Sequence, residues 1–228
     1  MKKFLAQESL LQFQNFIKDI YSLPDDRLFS IFDLLSNQER FTMRALKGIR
    51  KGDKKKLRIN LLIAFSWLMA IANRFHINVE EVVWRRFPAV CSYCGKQPCA
   101  CKKIHPSKRK KIIGKKSLKP RKLSDFQKMF SLIYPPESRT LYHAGVHLAE
   151  EMGELSESVH HFLGEHKNRQ FEEVRNEIAD YTSCVFGVAN SAGIDLAKEL
   201  AKIYYKNCHV CHRLPCVCKF YFVAKFKT

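Results

Sequence analysis

Acid is scarce in this chain: 22 Asp and Glu stand against 40 Lys and Arg, a formal charge of +18 over 228 residues. The shortage is uneven. From Lys102 to Lys122 there are eleven Lys and Arg and no acid at all. Clustered cations bind phosphates in a salt-dependent way without reading sequence. Segment 102–122 is therefore a candidate contact for non-specific nucleic acid, with a solvated linker as the plain alternative. Long apolar runs are also missing, and nothing approaches the roughly 18 apolar residues of a membrane span. The opening MKKFLAQESLLQFQNF is broken by Gln, Glu and Asn and lacks a signal-peptide core. A cytoplasmic protein with no membrane partner is expected. Sustained strand alternation is absent, and no Ser or Cys stands in an evident nucleophile–base pairing with His. The chain is still 46% hydrophobic and 12% aromatic, enough for a core built from helices.

Apolar residues recur at helical spacing in Phe13–Tyr21, Leu28–Leu35, Ile59–Ala72 and Val79–Phe87. Gly48, Gly52 and Asp53 are expected to mark a loop, and Pro135-Pro136 to end a helix. The pattern then repeats. FQNFIKDIY at 13–21 returns as FQKMFSLIY at 126–134, an offset of 113. Asn73 returns as Asn190, and Cys91, Cys94, Cys99 and Cys101 return as Cys208, Cys211, Cys216 and Cys218, all at 117. The expected fold is all-α: two tandem copies, 1–101 and 123–228, joined by the basic linker 102–122. With only two copies, the arrangement is a fused pseudo-dimer rather than a solenoid.

The second copy holds two carboxylate pairs spaced i, i+3: Glu151 with Glu154, and Glu177 with Asp180. Residues three apart share a helix face. From the stripe Leu148, Met152, Leu155, Val159 and Phe162, Glu151 lies roughly 60° away and Glu154 about 120°. From the stripe Phe171, Val174, Ile178, Tyr181, Val185 and Val188, Glu177 lies roughly 70° away and Asp180 about 130°, on the same side. Antiparallel packing would gather all four at the flank of one seam. Gathered carboxylates repel unless cations sit among them, and hard oxygen ligands suit Mg²⁺ or Mn²⁺. Ordinary solvated helix surface is the alternative for each pair. His147, one turn before Glu151, shares its face and is a candidate substrate contact. In the first copy Asn60 and Ile63 stand where the second has Glu177 and Asp180, and Phe41 and Arg44 stand opposite Glu151 and Glu154. That copy is expected to hold no such metal.

Each cysteine set reads C-x2-C-x4-C-x-C, with Pro98 or Pro215 before the third cysteine. Four thiolates so close suit one tetrahedral structural Zn²⁺, giving two ions in all. Disulfides are the alternative, which a reducing cytosol disfavours. The spacing leaves open whether each turn closes on itself or pairs across copies. Cys184, at the edge of a helix stripe, is expected in the core.

EMGE at 151–154, a spacer and EIAD at 177–180 resemble the E-x-x-E…E-x-x-D signature of the all-α NTP pyrophosphatases, the MazG-like and dimeric dUTPase-like group. The resemblance extends over about 123–207. It implies a Mg²⁺-dependent hydrolase that cleaves a nucleoside triphosphate between its α- and β-phosphates, releasing the monophosphate and pyrophosphate. Glu151, Glu154, Glu177 and Asp180 would hold the metal, with one of the four serving as base. Lys206 and Asn207 stand near the family's phosphate-contacting pattern in the last helix; Lys202 is out of register with it. Family members often dimerise, and fusion of two copies lets a monomer suffice, with a homodimer as the alternative. Dimeric dUTPases likewise join a site-bearing half to a degenerate one.

Overall fold

A computed structural model describes residues 3–110 and 112–219. Lys111 of the basic segment and the last nine residues of the expected second copy lie outside the described residues. No strand occurs among those described.

Most of the long helices begin at a side-chain cap. Ser9 and Gln12 form a capping box that opens α1 (Leu10–Leu28), and Ser30 with Asp33 opens α2 (Ile31–Arg50). Asp53 caps α3 (Lys54–Arg74) and Asn78 caps α4 (Val79–Arg86). The short α5 (Cys101–Ile104) precedes α6 (Leu123–Ile133), which stops just before Pro135. Thr140 caps α7 (Leu141–Glu165). Then come α8 (Asn168–Ala192), ended by Gly193 in the left-handed region, and α9 (Leu196–Ile203), capped by Asp195.

Two sequence expectations shift. The apolar pattern over Leu28–Leu35 spans a helix break, because the Ser30 capping box starts a new helix there. Gly48 lies inside α2 rather than in the loop, and the turn is 51–53, where Gly52 takes φ 64°. Gly48 is needed for closeness: a Cβ there would stand 2.5 Å from the backbone nitrogen of Leu57 on α3. Gly48→Ala is expected to destabilise the protein by about 2 kcal/mol in urea denaturation. The overpacking against backbone outweighs the gain of about 1 kcal/mol from alanine's helix propensity.

Helices α2 and α3 pair along their lengths, as do α7 and α8, and α2 crosses to α7 while α3 crosses to α8. One core runs through this bundle, from Phe4 to Cys216. Phe13, Phe65, Phe186, Phe130 and Phe87 form a chain of aromatic contacts across it, with centroids 5.2–6.0 Å apart. Helix α3 is long and apolar enough to cross a bilayer, but 72% of its apolar window is buried inside the fold.

Several contacts recur at the sequence offsets. The Gln14 amide donates to Asn73 Oδ1 (3.0 Å) and to the Ile77 carbonyl (2.7 Å), while its oxygen accepts from the Val79 amide. Gln127 makes the same three bonds to Asn190, Ile194 and Leu196. The cysteine turns cross over. The Cys99 amide donates to the Ile133 carbonyl at the end of α6, and the Cys216 amide to the Ile20 carbonyl on α1, both at 2.8 Å.

The basic segment is seated on the body rather than hanging from it. A Cβ on Gly114 would meet Trp84 and Pro88 at 2.6 Å, and Lys119 pairs with Glu80 and Glu81 on α4.

Candidate functional site

Antiparallel packing of α7 on α8 gathers carboxylates as the helical angles require. Oxygens of Glu151, Glu177 and Asp180 lie within 4.8 Å of one another. Glu154 is exposed and stands outside this tight set, yet its charge still reaches Glu151 and Glu177. Burial, and then the charges of Asp180, Glu154 and Glu177, push Glu151 up to about 8. Burial followed by Asp180 and Glu154 pushes Glu177 up to about 7. Glu151 Oε2 and Glu177 Oε2 are enclosed and meet no donor among the described residues. Enclosed oxygens with raised pKa values and no donor are costly unless a cation compensates them. The set fits a hard divalent ion such as Mg²⁺ or Mn²⁺.

Asp180 differs from its neighbours in being paired already. Its Oδ1 accepts from Arg86 Nε at 3.1 Å, and its Oδ2 accepts from Arg86 Nη2 at 2.5 Å and from Arg109 Nη2 at 3.0 Å. Arg86 comes from the last turn of α4, which packs on α8. Arg109 comes from the basic segment, lies 4.1 Å over the Tyr93 ring and donates to Ser92 Oγ at 3.1 Å. Both arginines also line a cleft of about 720 Å³ with Arg85, Lys110, Lys116 and Lys119. An anion-attracting cleft thus adjoins three acids. No spacing signals Arg86 or Arg109; the charge of 102–122 is a cue for Arg109 alone.

Among the described residues, helices α2 and α3 hold no such acid set. Ser30 and Thr140 start α2 and α7, so counting from the caps sets Phe41 opposite Glu151 and Arg44 opposite Glu154. Phe41 and Ile63 line an apolar pocket of about 70 Å³ with Phe29, Trp67 and Tyr204.

The cysteines form two sets of four, each closed within its own turn, with sulfurs within 4.8 Å of one another. Neighbouring sulfurs stand 3.5–4.0 Å apart, as in Cys91–Cys99 and Cys94–Cys99. A tetrahedron with Zn–S bonds of about 2.3 Å has edges of about 3.8 Å. Either set could hold a zinc ion. Against the effect of burial, the Ala100 and Lys96 amides hold Cys94 down to about 7. A hydrogen bond with Cys216 draws Cys208 down to about 4. One thiol in each set is thereby drawn toward the thiolate, while Cys99 and Cys101 are held up by burial, Cys216 by its hydrogen bond with Cys208, and Cys218 by burial. Cys184 is buried in the core.

The remaining sequence candidates sit elsewhere. His147 is half exposed on α7, pairs with Glu150 at 2.9 Å and packs against His143. Asn207 is buried at φ 65°, with its Oδ1 unpartnered among the described residues, directly before Cys208. Lys206 lies over the Tyr205 ring at 5.3 Å. The adjacent Tyr204 and Cys208 face the apolar pocket rather than the acids, and Tyr204 donates to Ser66 on α3. The structure therefore joins Glu151, Glu177 and Asp180 and keeps Glu154 at their rim, while His147 pairs with Glu150 and Asn207 adjoins the second cysteine set. No protein-family model, curated protein or solved structure matches this chain.

Proposed function

We propose that this protein is a Mg²⁺-dependent nucleoside triphosphate pyrophosphohydrolase of the all-α, MazG-like kind, acting in the cytoplasm. In this reading it consists of two fused copies of one helical unit, each with a structural Zn²⁺ in its cysteine turn, and its site lies in the second copy. The observation that carries it is the pair of enclosed carboxylate oxygens on Glu151 and Glu177, lacking donors and set beside a cation-lined cleft. The matching Gln14 and Gln127 networks support the two-copy reading.

Glu151, Glu177 and Asp180 would hold the divalent ion, with Glu154 at the rim. An ion there would neutralise phosphate oxygens and make water a better nucleophile near neutral pH. The protein's own share is positional. Helices α7 and α8 fix the backbone that carries the acids against a continuous core, so that only side chains would have to turn as the ion and substrate bind. Glu154, outside the tight set, is the carboxylate best placed to take a proton from the attacking water.

The test is pyrophosphate release from a panel of common NTPs and dNTPs with Mg²⁺, for wild type beside Glu177→Gln. Release from one or more nucleotides that the variant abolishes is expected. No release from any triphosphate by folded, zinc-loaded protein would reject the hydrolase. The basic cleft favours one second reading, a nucleic-acid-binding protein on an inert helical scaffold. Steeply salt-dependent oligonucleotide binding that survives Glu177→Gln, with no pyrophosphate formed, would select it.

A further inference from the structure

The same two side chains that pair with Asp180 also line the basic cleft. Arg86 and Arg109 place three N–H donors on Asp180, roughly filling three of a carboxylate's four acceptor positions. Glu151 and Glu177, by contrast, each keep an oxygen without a donor. Asp180 therefore cannot become a full cation ligand and keep both guanidiniums. Each guanidinium has five donors, spends one or two on Asp180, and meets the wall of a 720 Å³ cleft. That volume lies within the usual range for small-molecule sites. The segment bearing Arg109 is held in place by Tyr93, by Ser92 and by the seating of Gly114 on Trp84.

We infer that Arg86 and Arg109 are polyphosphate-binding residues, which neutralise Asp180 until it turns to a cation and which then present their donors to the substrate's phosphate chain. Guanidinium forks suit this exchange, because carboxylate and phosphate oxygens accept the same bidentate geometry. The ligand class is a linear polyphosphate, such as the tail of a nucleoside triphosphate. The inference rests on reading the three acids as a cation site.

It predicts effects of opposite sign on two ligands. Inorganic tripolyphosphate with Mg²⁺ is titrated by calorimetry into the full chain and into Arg86→Gln, Arg109→Gln and Lys202→Gln, the last an exposed control on α9. Free Mn²⁺ is followed by electron paramagnetic resonance in the same proteins without polyphosphate. Each arginine variant is expected to bind tripolyphosphate about 10- to 100-fold more weakly, the loss typical of a charge-assisted hydrogen bond. Their Mn²⁺ affinity is expected to be unchanged or several-fold tighter, since a competitor for Asp180 is gone. The control should match wild type in both titrations. Unchanged tripolyphosphate affinity in the arginine variants, or weaker Mn²⁺ binding, would overturn the inference. Arg109→Gln decides the matter alone if Arg86→Gln fails to fold, because Arg109 is the more exposed of the two. Arginine-dependent binding without pyrophosphate release would reject the hydrolase and leave this inference standing.

Discussion

Glu151→Gln is expected to lower pyrophosphate release by about 10²- to 10³-fold while stabilising the same zinc-loaded protein in buffer free of Mg²⁺. The two effects share one cause. Glu151 is enclosed among Asp180, Glu154 and Glu177, and its carboxyl group is pushed up to about 8. The ordinary carboxyl value in an unfolded chain is near 4.3. Between these values the folded state holds a proton that the unfolded state has released, so stability falls as pH rises through the window. The loss begins near pH 4 to 5 and is complete above about pH 8. A glutamine has no proton to lose. The variant should therefore match wild type near pH 4 and exceed it by about 2 kcal/mol at pH 9, allowing for screening by the water that reaches a half-buried group. Urea titrations at both pH values check the sign. Adding Mg²⁺ at pH 8 should close the gap, since the ion stabilises the ionised wild type more than the variant. A variant that is less stable than wild type at pH 9 would show that Glu151 is held by a partner rather than crowded by like charge.

Loss of the first cysteine set should cost activity as well as stability, whereas loss of the second should cost stability alone. Cys91→Ser with Cys94→Ser, and Cys208→Ser with Cys211→Ser, are each expected to remove one of two zinc equivalents, counted by mass spectrometry. Structural zinc supplies folding free energy directly, but here a continuous core shares the burden. A loss of about 4 kcal/mol, and hence a melting temperature lower by about 10 °C, is expected for either pair. The asymmetry in activity comes from Ser92. It follows Cys91 directly, accepts from Arg109, and so ties the first turn to Asp180. The second turn faces the apolar pocket, where Phe41 and Ile63 offer no acid. Equal retention of turnover in both variants, assayed well below their melting points, would remove this link.

The helical fold and both cysteine sets were legible because each is written in local spacing. Periods of three and four residues gave the helices, and C-x2-C-x4-C-x-C gave two four-cysteine groups, while their closure within each turn is visible only in the structure. The acids were legible by half. Angles about the stripes place Glu151 and Glu177 nearer the seam, and the structure shows both partly enclosed with Glu154 exposed. The same angles put Asp180 farthest from its stripe, yet it is 3% exposed. Its burial is the work of α4 and the basic segment, whose Arg86 and Arg109 lie 94 and 71 residues away in sequence. No periodicity within α8 carries that information. A stretch with eleven cations reads locally as solvated linker, and the partners that seat it, Asp180, Glu80, Glu81 and Trp84, all lie elsewhere in the chain. Gly48 failed for a similar reason: a glycine reads as a breaker, while its need here is a neighbouring backbone.

Because Cys99 reaches Ile133 and Cys216 reaches Ile20, neither half is a free-standing piece. A half alone would keep its cysteine turn but lose the helix end that receives it, and would leave its side of the shared core open to water. On the proposed two-copy reading, ancestry is constrained accordingly. A single such unit could have existed only as a pair with exchanged turns, and joining the two ends would have frozen that exchange into one polypeptide. In that reading the two clasps would persist together once joined, while only one of the two seams would need its acids. The other would be at liberty to fill with Phe41 and Ile63.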